Sequence, residues 1–146
     1  MEFGSSQRHC RLNDCANVTA IEAAVSDRSG IAAFDSQRGR SYEGHISESG
    51  ELQVQIVALD ELTGRGELPA PHIIKMDVEG AEFSVLTGAK KLLDRARPVI
   101  FLATHGPQVH RQCCDLLTDF GYTLSALDGR SVEETDELIA CPSNSV

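Results

Sequence analysis

H-I-I-K-M-D-V-E-G-A-E, residues His72 to Glu82, is the stretch whose reading decides the fold. Ile73, Ile74, Met76 and Val78, interrupted by Lys75, predict a short buried strand over Ile73 to Val78. The composition then turns to carboxylates and a glycine: Asp77, Glu79, Gly80 and Glu82. Phe83, Leu86 and Leu93 recur at helical steps and predict one helix over about Ala81 to Arg95. A buried strand that ends in acids and feeds a helix is half of a parallel α/β unit. In open α/β sheets, ligands sit outside the carboxyl ends of the strands, which is where Asp77, Glu79 and Glu82 fall. The plainer reading is that these acids only complement a helix dipole.

The next strand outward is Val99 to Leu102, which ends in Ala103-Thr104-His105-Gly106. Sequential strands joined by one helix usually pair, so Asp77 and His105 are expected in one crevice. An acid and an imidazole there can share general-base work on an acceptor hydroxyl or hold a divalent cation. Alternatively, His105 only hydrogen-bonds the start of the helix that follows. That helix opens at Pro107, runs along Val109, Cys113, Leu116, Leu117 and Phe120, and closes at Gly121. Tyr122 to Leu127 and Glu137 to Cys141 read as two strands joined without a helix, an antiparallel pair that ends a mixed sheet.

Toward the N-terminus, Leu52 to Leu59 alternates as a half-exposed strand, and Asp60-Glu61-Leu62 reads as one helical turn. Asp35 to Glu51 is polar and glycine-containing, a loop bordering the site. Ile31 to Phe34 is a short strand, set off from a strand over Val18 to Val25 by the Arg28-Ser29-Gly30 turn. Ser26-Asp27 is a further polar pair at a strand's carboxyl end, suited to a nucleoside contact or simply to a turn. Residues 7–16 resemble the last turns of a helix, and residues 1–6 read as a leader left by cloning. Residues 7–146 then form a single partial α/β domain.

At 146 residues, with 41% hydrophobic and 5% aromatic content and no Trp, the chain has one aliphatic core. A formal charge of −9 and scattered basic residues disfavour nucleic-acid and anionic-membrane surfaces. No apolar run is long enough for a membrane span. The five cysteines are odd in number and form no C-x-x-C pair. With no secretory signal, they read as free thiols of a cytoplasmic protein. His105, His110, Cys113 and Cys114 lack a second paired set, so no structural zinc and no other metal ligand set is assigned. Nucleophile-elbow, P-loop and G-x-G-x-x-G patterns are all missing.

Ile74 to Leu93, I-K-M-D-V-E-G-A-E-F-S-V-L-T-G-A-K-K-L-L, and Arg97 to Gly106, R-P-V-I-F-L-A-T-H-G, together resemble the FkbM-type family of S-adenosylmethionine-dependent methyltransferases. Asn17 to Gly30 and Val57 to Leu62 fit the same family in the right order, so the resemblance covers residues 8 to 142. It implies a Rossmann-like class I methyltransferase sheet, truncated on its N-terminal side and ending in an antiparallel strand pair. It also implies methyl transfer from S-adenosylmethionine, commonly to a hydroxyl oxygen of a small molecule or glycan. On that basis Asp77, His105 and Glu79 are catalytic candidates. Ser26, Asp27 and Asp77 are cofactor contacts, and Glu82 and His105 are substrate contacts.

The chain departs from the family pattern in two ways. The glycine-rich turn after the family's first strand and the acid ending its second have no counterpart here, and Thr104 stands where many relatives carry a glutamate. In the full class I sheet, the first strand lies beside the Asp77 strand. Its loss leaves an edge that either the Val18 to Val25 strand or a second copy of the chain, as a homodimer, is expected to cover. A non-catalytic remnant serving as an interaction or oligomerisation module is the alternative function. A metal-dependent hydrolase built on the same acids and His105 is the third.

Overall fold

The computed structural model describes residues 3–35, 45–46 and 52–143. Helix α1 (Phe3–Leu12) begins inside the expected leader and ends earlier than the reading of residues 7–16 implied. Its end is fixed where the Asn13 side-chain amide donates to the His9 carbonyl at 2.9 Å. Among the described residues, eight strands form two four-stranded sheets in place of one continuous sheet.

The first sheet holds β1 (Ala24–Val25), β2 (Gly30–Asp35), β3 (His45–Ile46) and β4 (Leu52–Val57), in the order β1-β4-β2-β3. The expected strand over Val18 to Val25 contracts to its last two residues. Only Ala24 and Val25 find partners, Ile56 and Val57 of β4, in parallel register. An extended segment with no neighbour forms no ladder, and Val18 and Ile21 are exposed. β2 pairs with β4, antiparallel, and not with β1. Apart from β3 and the strand ends, the Asp35 to Glu51 loop lies outside the described residues.

The second sheet holds β5 (Ile73–Met76), β6 (Val99–Ala103), β7 (Tyr122–Ala126) and β8 (Glu137–Pro142), in the order β5-β6-β8-β7. β5 and β6 run parallel, as one connecting helical segment requires, with Met76 opposite Leu102. β8 is antiparallel to both β6 and β7, which gives the expected closing pair. One apolar core lies between this sheet and its helices, with Leu86, Leu93, Ile100, Leu102, Leu117 and Leu138 all essentially inaccessible. No helix among the described residues is long and apolar enough to cross a membrane.

The segment read as one helix over Ala81 to Arg95 is two: α3 (Glu82–Thr87) and α4 (Lys90–Arg95). The break has a tertiary cause. Asp60, in α2 (Leu59–Gly64), accepts from the amides of Lys91 and Leu92, both at 2.9 Å, and so caps α4 from another element. The Asp60 amide in turn donates to the Gly88 carbonyl at 2.9 Å. Gly88 itself lies against the end of β1, where an added Cβ would meet the Ser26 carbonyl oxygen at 2.3 Å. The periodicity carried across Gly88 because a glycine inside a helix is tolerated; here it is required for close backbone approach.

α5 (Pro107–Asp119) follows β6 as expected, with Gly121 beyond its end at φ +72°. Arg97 closes the same corner: its guanidinium donates to the Phe120, Gly121 and Ser143 carbonyls at 3.2, 3.0 and 3.3 Å and lies over the Tyr122 ring.

The expectation that the Val18 to Val25 strand covers the β5 edge is overturned, because its surviving residues pair with β4. Among the described residues the outer edge of β5 has no partner strand, and Ile73 is 63% exposed. Replacing Gly88 with Ala is expected to lower stability by about 2 kcal/mol, because the methyl group meets a backbone oxygen that cannot turn away. Thermal unfolding checks it against Gly64→Ala, where the added methyl enters open space; equal midpoints for the two variants would mean that the Ser26–Gly88 approach is wrong.

Candidate functional site

The carboxyl ends of β5 and β6 lie side by side because the strands pair in parallel, and this brings the chemistry together. Asp77 directly follows β5. Glu79 then takes a left-handed backbone, φ +51°, and Gly80 follows at φ +98°. These two residues fold the chain back so that Glu82 opens α3 directly beneath the turn. A non-glycine residue at positive φ is uncommon and is held by its surroundings. Here the Gly80 amide donates to Glu82 Oε1 at 3.0 Å and locks the turn to the helix start.

His105 arrives two residues after β6. Its Nδ1 lies 2.8 Å from Glu82 Oε1, and Nε2 lies 3.2 Å from Glu79 Oε2 and 3.8 Å from Asp77 Oδ1. Asp77 Oδ2 is held by Lys75 Nζ at 3.2 Å. The expected meeting of Asp77, Glu79, Glu82 and His105 is therefore found in one place. The exposure of each differs sharply: Asp77 and Glu79 side chains are 44% and 47% exposed, His105 36%, and Glu82 not at all.

Glu82 was expected to touch substrate. Wholly buried, it touches His105 instead, and its second oxygen, Oε2, has no hydrogen-bond partner among the described residues.

The electrostatics follow from this nesting. Burial works to raise the Glu82 carboxyl, but the Gly80 amide and His105 outweigh it and leave it below the ordinary range. The hydrogen bond to Glu82 raises His105 above the ordinary imidazole value, partial desolvation opposes it, and Glu79 and Asp77 add to the rise. Beneath them, Cys113 is fully buried, and its thiol is pushed up to about 12 by burial first and by the Glu82 charge second.

Ser26 and Asp27 lie elsewhere. Ser26 is buried at the end of β1, its hydroxyl donating to Asp27 Oδ1 at 3.2 Å, while Asp27 also pairs with Arg28. Among the described residues no hydrogen bond joins them to the carboxylate–imidazole group.

A separate cleft of about 620 Å³ is lined by Thr104, Gly106, His110, Arg111, Arg130 and Glu133 among others, and neither His105 nor the three acids line it. Thr104, buried, holds His110 Nδ1 at 2.9 Å, and His110 Nε2 lies 3.5 Å from Cys114 Sγ. Arg130 is anchored by Asp128 at 2.6 Å. Sequence reasoning missed this cleft, because its walls come from α5 and from the loop before β8, which share no local motif.

A family model described as the methyltransferase FkbM domain matches residues 6–125. The chain belongs to the FkbM methyltransferase domain family. It is 32% identical over 84 residues to the hexuronic acid methyltransferase AglP of Haloferax volcanii, covering 57% of this chain and 35% of that protein. It is 30% identical over 96 residues to the 2-O-methyltransferase NoeI of Sinorhizobium fredii, covering 53% of this chain and 40% of that protein. The crystal structure of methyltransferase FkbM from Methylobacillus flagellatus KT superposes with a TM-score of 0.63 at 16% identity, over 94% of this chain and 33% of that one. The two-sheet architecture is thus a Rossmann-like FkbM fold, and the chain spans well under half the length of these relatives.

The burial of Cys113 gives a direct check on the packing under the site. Iodoacetamide at pH 8 is expected to alkylate the exposed Cys141 and to leave Cys113 unmodified in the folded protein. Peptide mass mapping reads the result, and rapid modification of Cys113 would contradict the packing described.

Proposed function

We propose that this chain carries the acceptor side of an S-adenosylmethionine-dependent O-methyltransferase acting on a hydroxyl of a saccharide-type acceptor. The observation that carries this reading is the convergence of Asp77, Glu79 and His105 at the carboxyl ends of the paired strands β5 and β6, in a chain of the FkbM family. The names of AglP and NoeI, a hexuronic acid methyltransferase and a 2-O-methyltransferase, support oxygen as the atom methylated and a sugar as the acceptor for this chain too.

The donor set suits the cofactor in part. The half-exposed Asp77 and Asp27 carboxylates can accept from ribose hydroxyls or an ammonium group, whereas the buried Ser26 hydroxyl is already committed to Asp27. When bound, S-adenosylmethionine supplies an electrophilic methyl group. The chain's own residues act on the acceptor. His105 Nε2, on a ring fixed through Glu82, orients the acceptor hydroxyl. An accessible carboxylate oxygen of Asp77 or Glu79 takes its proton as the oxygen attacks. No large charge has to be created, so positioning contributes much of the rate.

Transfer of labelled methyl from S-adenosylmethionine to a panel of uronic-acid and neutral saccharides tests this. Asp77→Asn and His105→Ala are each expected to reduce transfer by about 10²-fold or more. Wild-type rates in both variants would remove the site from the reaction.

The unpaired edge of β5, with Ile73 exposed, favours a second reading: an interaction module in which a second copy adds its own β5. That reading is supported if S-adenosylmethionine gives no heat at millimolar concentration while sedimentation shows a dimer that Ile73→Lys dissociates.

A further inference from the structure

We infer that Asp77, Glu79 and His105 form a binding site for one divalent cation, with Glu82 as the residue that presents the imidazole to it. One ligand atom from each of the three lies within 4.8 Å of the other two. Metal–ligand bonds of about 2.1 Å set neighbouring donor atoms about 3 to 3.5 Å apart. The 3.2 Å and 3.8 Å separations around His105 Nε2 are close to that spacing.

The far side of the ring is built for the same role. A metal-ligating histidine characteristically donates its other ring N–H to a carboxylate, which fixes the tautomer and raises ligand basicity. Glu82 does this from a wholly buried position, 2.8 Å from Nδ1, while its own Oε2 has no hydrogen-bond partner among the described residues. With the proton on Nδ1, the Nε2 lone pair faces Asp77 Oδ1 and Glu79 Oε2. These three donors can close on one cation once the Nε2 proton has left, and Lys75 pairs with the far oxygen of Asp77.

One nitrogen and two carboxylates suit a borderline-to-hard ion such as Mn²⁺ better than the thiolate-seeking ions. What the ion does depends on the methyltransferase reading: held by His105 Nε2, it takes over from that nitrogen the orienting of the acceptor hydroxyl, whose proton passes to a carboxylate oxygen that the ion does not hold. Whether it binds does not depend on that reading.

Titration of the purified chain with MnCl₂ tests the site. Free-ion electron paramagnetic resonance is expected to show one ion per chain with a Kd on the order of 10⁻⁴ M, the weak end of oxygen-rich sites. In proton spectra, the His105 ring signals are expected to broaden well before those of His9. Glu79→Gln, an exposed change that spares the fold, is expected to abolish binding. Glu82→Gln is expected to weaken it about 10- to 100-fold.

Equal broadening of His9 and His105, or unchanged binding in Glu79→Gln, overturns the inference. In that case an imidazolium donating from Nδ1 to Glu82 and from Nε2 to Glu79 accounts for the cluster. Ion binding without methyl transfer to any acceptor would sink the methyltransferase reading alone, whereas chelator-resistant transfer without ion binding would sink the cation alone.

Discussion

The contact on which the site depends is the 2.8 Å approach of Glu82 Oε1 to His105 Nδ1. It joins the start of α3 to the end of β6, two points 23 residues apart in sequence. A carboxylate with no solvent access is tolerated because the Gly80 amide and the imidazole both favour its charged form. Remove either partner and a buried charge is left without compensation, a large cost relative to the stability of a domain this size. The rim acids Asp77 and Glu79 are exposed and cheap to keep; Glu82 makes their arrangement around one imidazole specific.

A second constraint joins the two sheets. Asp60 caps α4 across the boundary, and Gly88 lets the end of β1 pack against the helix pair. Because a carboxylate accepting two backbone amides at a helix start does the work of an N-cap, α4 needs no capping residue of its own, and Ala89 stands in that position. The helical segment between β5 and β6 therefore breaks where the other sheet touches it. This backbone contact and the packing of Val25 and Leu59 against the core of the second sheet join the two halves, while the sheets keep separate hydrogen-bond ladders.

Much of the second sheet was readable in advance. The apolar run before Asp77, the run before His105 and the proline-to-glycine span of α5 each carry local signals, and parallel pairing follows from a single connecting helical segment. Less was readable around β1: V-T-A-I-E-A-A-V has the look of a strand throughout, yet a ladder forms only opposite Ile56 and Val57. The Thr104–His110 pair and the cleft beside it left no trace in the sequence, since their neighbours come from the loop before β8.

The sequence by itself determined the family, the α/β class, and the delivery of Asp77, Glu79 and His105 to neighbouring strand ends, because strand periodicity and chain connectivity are local properties. Tertiary structure decided three other things. It divided the strands into two sheets, it cut the long helix at Gly88, and it made Glu82 the buried partner of His105 in place of a residue on the rim. Burial, backbone close approach and which nitrogen of a ring meets which acid depend on what packs against a residue from far along the chain, and no spacing along the chain encodes that.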